Sequence, residues 1–385
     1  MKNANGSDTK KAIVAGHICI DITPKFPRSE REIREAGELL KPGKLINIDG
    51  VSISTGGAVA NTGLAMNRLG ADVKLLGKLG DDDFGRLVLQ VMERNGYDGR
   101  EDMIIDPASR TSYTVAIAIP GIDRIFLHDP GANNTFGYDD LDFSELEKAD
   151  LFHFGYPSIM RRMYLNEGEE LVSIYRKVSS LGLATSLDLA AVDDSSEAGQ
   201  QDWKAILKKV LPYVDFFVPS VEELCYMLDR ARYDEWMERA DGKDVTLMLD
   251  IEKDVRPLAD ELLSMGAKVL MIKCGAPGIY FRTAGRETIE RVGKKLALDP
   301  AEWADQEIFE KSYKPSKVLS GTGAGDTSIA AFLTAVLFGR KPQDAIRLAV
   351  ATGTCCVEAY DSLSGLLSFE ELEQKIAAGW EKQDF

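Results

Sequence analysis

Short apolar runs recur along this chain, and between most of them the apolar residues fall three or four apart, the spacing of one helix face. The runs occupy residues 11–20, 72–79, 150–155, 184–189, 214–219 and 268–274. Helical spacing fills 83–94, 169–179, 203–210 and 255–264. Apolar runs with little polar alternation suit strands buried on both faces. Strands of that kind alternating with helices predict an α/β fold, a parallel sheet covered on each side.

Two stretches break the rhythm. Residues 45–54, and the pair 112–119 and 124–128 joined by Pro120-Gly121-Ile122-Asp123, have no helix of their own to cover them. The pair reads as a β-hairpin. Together these stretches are expected to form a small sheet beside the main one and over its edge. Such a lid, drawn from segments near 17–55 and 110–131, would be inserted in one domain covering residues 1–385. Residues 284–317 carry charge and little period, which predicts an irregular excursion.

Charge and cysteine usage narrow the function classes. Against 46 Lys and Arg stand 62 Asp and Glu, a formal net charge of -16. Such a chain lacks the basic face that nucleic acid demands. The N-terminus, MKNANGSDTKK, has no apolar core of a secretory signal, and the longest apolar run, 329–338, is too short to span a bilayer. A cytoplasmic protein with neither a membrane nor a nucleic-acid partner is expected. Five cysteines at 19, 225, 274, 355 and 356 form no CxxC pair, so reduced, buried thiols are expected instead of disulfides or a zinc site.

The stretch Ser320-Gly-Thr-Gly-Ala-Gly-Asp-Thr327 stands before a run of small apolar residues. Glycines allow close approach of the backbone, and the Ala-rich run predicts a buried helix whose first N–H groups face an anion. A phosphate loop of the Walker type needs Lys-Ser/Thr after its last glycine, and a dinucleotide fingerprint needs a glycine where Asp326 stands. Neither requirement is met. Two readings remain: Asp326 caps the helix and the glycines serve only the turn, or Gly323, Ala324 and Gly325 form an anion hole for a transferring phosphoryl group while Asp326 accepts a hydroxyl proton.

Gly323-Ala324-Gly325-Asp326-Thr327 resembles the second signature of the ribokinase-like (PfkB) carbohydrate kinases. Gly56-Gly57-Ala58-Val59-Ala60-Asn61, followed by Gly80-Asp81-Asp82-Asp83-Phe84-Gly85, resembles the first. The likeness runs from Val14 to about Leu367. It implies a three-layer α/β/α fold with a mostly parallel central sheet and a small β-sheet lid. It also implies transfer of the γ-phosphoryl group of Mg-ATP to a hydroxyl of a monosaccharide or related small molecule, with Asp326 as base.

By the same resemblance, Asp21, Gly56, Gly57 and Asn61 would meet the sugar, joined from the hairpin by Arg124, beside His128. Ser220-Val221-Glu222-Glu223 matches an Asn-x-x-Glu motif with serine in the first place, and Glu223 would organise the water shell of magnesium. Lys273, Gly275 and Gly278 match a turn at the nucleotide phosphates, with Thr322 and Gly353 bordering the nucleotide and Asp188 a further candidate on the metal side. Ser320 stands where relatives often place a cation-binding aspartate, so activation by potassium stays open. A homodimer through the lid is implied. A nucleoside (adenosine-like) kinase, and a catalytically silent sugar- or nucleotide-binding regulator, are the alternative readings on this fold.

Overall fold

The computed structural model describes residues 10–26, 43, 45–117 and 125–384; Arg124 and the turn of the expected hairpin lie outside the described residues. Within them, strands β1 (Lys11–Gly16), β2 (Cys19–Pro24), β3 (Val51–Gly56), β4 (Asp72–Leu76), β5 (Lys78–Gly80), β6 (Ile104–Asp106) and β7 (Tyr113–Ile117) come first. They are followed by β8 (Ile125–Asp129), β9 (Leu151–Gly155), β10 (Ala184–Asp188), β11 (Phe216–Phe217), β12 (Val269–Lys273), β13 (Gly278–Thr283) and β14 (Glu307–Lys311). The main sheet has the order β14-β13-β12-β11-β10-β9-β1-β4. Its pairs are parallel except those of β13, which is antiparallel to both neighbours.

Alternate residues of each strand feed opposite layers, which gives the three-layer α/β/α architecture. Ala12 and Val14 of β1 join a core with the helices Ala58–Arg68, Ala324–Leu337 and Pro342–Cys356. Ile13 and Ala15 join another with Arg161–Ser180, Trp203–Val210, Val221–Leu228 and Arg256–Ser264. Phe216 and Phe217 of β11 divide between the layers in the same way. A strand buried on both sides needs no polar alternation, which is why these runs read as continuous apolar segments.

Four expectations about elements change. The run 72–79 divides between β4 of the main sheet and β5, which pairs with β6 in a two-stranded sheet. The run 11–20 is not one strand: β1 ends at Gly16 and β2 begins at Cys19 in a different sheet. Gly16 has φ 124°, and a Cβ there would lie 2.3 Å from the Gly155 carbonyl oxygen, so the chain can leave the main sheet at this point only as glycine. Asp21 therefore belongs to the second sheet and not to the end of a main-sheet strand. The run 214–219 contracts to two residues of β11. Residues 284–317, expected to be irregular, include β14, an edge strand whose Glu307, Glu310 and Lys311 hide its apolar alternation.

The second sheet, ordered β3-β2-β7-β8, contains both stretches that lacked helices. Its register pairs Asp21 with Ser54 and Thr114, and Thr114 with His128, which makes one face polar. Ile22 pairs with Ile53 and Val115, and Val115 with Leu127, which makes the other face apolar. No helix among the described residues is long and apolar enough to cross a membrane, and all five cysteines are free and buried.

Candidate active site

The main-sheet register brings several strand ends to one edge. Gly16 pairs with Gly155 and Gly155 with Asp188, while Ser220 and Lys273 form a parallel bridge. His17, Tyr156, Asp188, Ser220 and Lys273 thus stand together where open α/β sheets hold their ligands, at the carboxyl ends of the strands. The helix Ala324–Leu337 starts against that edge. Gly323 is its N-cap with φ 79°, and a Cβ there would come within 2.5 Å of the Ser362 Cβ. Across the turn, Lys273 runs alongside Gly325, its Cδ at an ordinary contact distance of 3.4 Å from where a Cβ would stand. Thr327 N–H donates to the Gly323 carbonyl at 2.9 Å. The N–H groups of Gly325 and Asp326 precede that bond and point out of the helix end.

Asp326 does not cap its own helix. Its carboxylate is 5% exposed and accepts from Asn61 Nδ2 at 3.0 Å and Thr62 Oγ1 at 3.4 Å. The Tyr156 hydroxyl reaches both its oxygens, at 2.7 and 2.8 Å. Burial pushes the carboxyl above its ordinary range, Tyr156, Lys273 and Asn61 draw it back, and the Glu223 charge adds to the rise. Asn61, expected to meet the sugar, has partners within the protein. Its amide donates to Asp326, and its oxygen accepts from Ser362 Oγ at 3.1 Å, so it fixes the acid in place. It can do so because Gly57, with φ 86° and a virtual Cβ 2.4 Å from the His17 carbonyl oxygen, starts the helix Ala58–Arg68 hard against the end of β1.

Lys273 Nζ pairs with Asp188 Oδ1 at 2.7 Å. Burial pushes the Asp188 carboxyl up to about 8 against the pull of Lys273, with Glu223 and Asp326 adding to the rise. Lys273 keeps its proton: burial opposes the charge, but Asp188 and Glu223 outweigh it and raise its pKa. Glu223 Oε2 accepts the Ser220 N–H at 3.1 Å. Asp188, Glu223 and Asp326 all lie close enough for their charges to act on Lys273. Among the described residues no group of three or more His, Cys, Asp or Glu could hold a metal alone. That donor set fits magnesium, which prefers oxygen and is bound by one or two carboxylates together with water and phosphates.

Asp21 lies close enough to Asp326 to feel its charge. Burial raises its carboxyl first, Cys19 and Thr114 lower it, and Asp326 raises it further. A Cβ on Gly56 would lie 2.2 Å from Asp21 Oδ2, so that glycine seats the acid. Thr114 Oγ1 and His128 Nδ1 lie 3.0 Å apart, and the His128 ring is 5.3 Å from that of His17. Of the remaining expected residues, Thr322 and Gly353 lie at the glycine turn, and Gly275 and Gly278 follow Lys273. Thr322 N–H donates to Ser320 Oγ at 3.1 Å, and its carbonyl accepts from Cys356 Sγ at 3.6 Å. Gly353 sits behind the turn, where a Cβ would meet Ser328 Oγ at 2.3 Å. Gly275 and Gly278 have φ 64° and 143°, and side chains there would strike Thr246 and Glu310 respectively.

Sequence reasoning passed over Thr62, Tyr156 and His17. Thr62 follows Asn61 directly in the helix Ala58–Arg68. The signal for Tyr156 is Gly155-Tyr156-Pro157, a large hydroxylated residue wedged between glycine and proline at a buried strand's carboxyl end.

Residues 10–367 match the sequence profile of the pfkB family carbohydrate kinases. An uncharacterized sugar kinase of Archaeoglobus fulgidus is 25% identical over 303 residues, 79% of this chain and 98% of that protein. Among solved structures, Arabidopsis thaliana ribokinase complexed with ribose and ATP superposes with a TM-score of 0.68 at 18% identity, covering 95% of this chain and 98% of that one. Xylella fastidiosa fructokinase with bound ATP superposes with a TM-score of 0.68 at 19% identity, covering 96% and 99%.

Proposed function

The chain belongs to the pfkB family of carbohydrate kinases, and we propose that it transfers the γ-phosphoryl group of ATP to a hydroxyl of a monosaccharide or a closely related small molecule. One observation carries this reading: a buried carboxylate, Asp326, stands at a helix N-terminus beside Lys273 and across from the polar face of the second sheet. The acceptor oxygen forms its bond to the γ-phosphorus as the β–γ bridging bond breaks. Asp326 takes the hydroxyl proton as that oxygen's acidity rises. Phosphoryl transfer depends mainly on position and charge. The N–H groups of Gly325 and Asp326, with Lys273 alongside, stabilise the charge on the moving group.

Glu223 and Asp188 would hold hydrated magnesium, which supplies neutralising charge to the nucleotide phosphates when bound. Asp21, Ser54, Thr114 and His128 share the face turned to the acceptor and offer hydrogen bonds for neighbouring hydroxyls. The four strands act as a lid that keeps water from competing with the acceptor. Their outer face, with Val51, Ile53, Ile125 and Leu127 exposed, fits a second copy of the chain.

The test is ADP release from ATP and magnesium over a panel of pentoses, hexoses, keto-deoxy acids and nucleosides. Turnover of at least one sugar, abolished in Asp326→Asn, is expected. Turnover of nucleosides alone, or of nothing in the panel, overturns the reading.

A further inference from the structure

Tyr156 adopts φ 67° and ψ 40°, the left-handed region. A bulky side chain rarely occupies it, and the proline that follows disfavours compact conformations in the residue before it. Such a backbone persists where its surroundings hold it, and at functional sites. Here it delivers the phenol to Asp326, at nearly equal distances of 2.7 and 2.8 Å from the two carboxylate oxygens. Asn61 holds one oxygen and Thr62 the other. The phenol is left with the front of the carboxylate, between both oxygens. Burial first, then the charges of Asp326 and Asp188, raise its pKa well above the ordinary value, so it keeps its proton and donates, as an acceptor hydroxyl must.

A second observation lies behind the ring. The His17 imidazole is 2% exposed, and among the described residues neither ring nitrogen has a hydrogen-bond partner. Burial, and then the neighbouring His128, push its pKa down to about 3, so it stays neutral. Its ring lies 6.2 Å from the Tyr156 ring and 5.3 Å from that of His128. A buried imidazole without partners is costly unless a bound molecule supplies them.

We propose that Tyr156 plugs the acceptor subsite: its phenol occupies the acceptor hydroxyl's place on Asp326 in the free protein, and an entering acceptor displaces it and uncovers His17 for a second hydroxyl. This rests on Asp326 being the base. The plug also denies that place to water. Without it, a water oxygen bonds to the γ-phosphorus, the β–γ bridging bond breaks, Asp326 takes the water's proton, and ADP and phosphate leave.

The experiment measures ADP release from ATP and magnesium with no sugar present. Tyr156→Phe keeps the ring and vacates the hydroxyl's space, and Tyr156→Asn suits the left-handed backbone, so the two variants put different demands on folding. A rise of at least about tenfold is expected in each folded variant, a fraction of what an accessible general base contributes. Adding Asp326→Asn should return the rate to background. An unchanged or slower rate in the folded variants overturns the plug. Sugar turnover that survives Asp326→Asn alone overturns instead the assignment of the base, so the two failures are told apart.

Discussion

The two walls of the cleft are built in opposite ways. At the glycine turn, Asp326 and Asp188 are 5% and 1% exposed and held by Asn61, Thr62, Tyr156 and Lys273. In the four-stranded sheet, His128 and its neighbours on β8 are exposed, and polar and apolar faces are separated only by strand alternation. Buried charge held on several sides suits chemistry, because fixed dipoles in a dry site need not reorganise during reaction. A half-buried sheet face with carboxylate, hydroxyl and imidazole side chains suits recognition, because its strand alternation presents several hydrogen-bonding groups side by side. The division predicts that variants in the first wall alter turnover and variants in the second alter acceptor affinity.

The largest effect is expected at Asp326. Asp326→Asn should lower kcat by at least about a hundredfold, the contribution of a general base, while nucleotide binding measured by calorimetry persists. Its stability should move the other way. The folded carboxyl has a raised pKa, so it holds its proton more tightly in the fold than in the unfolded chain. Its contribution to stability is present at low pH and is lost as pH climbs from the unfolded value near about 4 through the folded one. At neutral pH the amide variant should therefore melt no lower than the wild type. The same shift places the acid limb of the wild-type rate above the ordinary carboxylate range. A variant within tenfold of wild-type turnover breaks the division.

A smaller effect is expected from the opposite wall. His128→Ala removes the ring that pairs with Thr114 and lies over His17. Loss of one hydrogen bond to the acceptor, about 1 kcal/mol, should raise its KM about fivefold with kcat little changed. A fall in kcat with KM intact would move His128 to the chemical side of the comparison.

The two walls also differ in how far the sequence reveals them. The first is contiguous: Gly323 to Asp326 and Gly56 to Asn61 are local turns in which positive φ or close approach requires glycine at 323, 56 and 57, so the motifs carry their own geometry. Even there, the bond from Asn61 to Asp326 and the approach of Tyr156 escaped notice. Their roles depend on contacts 265 and 170 residues apart in the chain. In the second wall, the strand pattern predicted a sheet, but not that the run 11–20 divides at Gly16 to place Asp21 within it. That break is set by the approach of Gly155, a contact that no local pattern of residues encodes.

The smallest effect on rate, and the one that most sharpens the comparison, concerns the outer face of the sheet. Ile53 and Leu127 are 43% and 54% exposed and lie on the face opposite Asp21 and His128. Replacing both with lysine places like charges where a second copy would dock, and should turn a dimer into a monomer by light scattering. Because the substitutions point away from the acceptor, kcat should stay within about twofold of wild type, the range of an exposed surface change. KM separates two arrangements. If it is unchanged, the polar face is ordered by the strands alone. If it rises as it does in His128→Ala, the partner's sheet holds the polar face in register, and recognition belongs to the pair of chains while the chemistry at Asp326 remains the property of one.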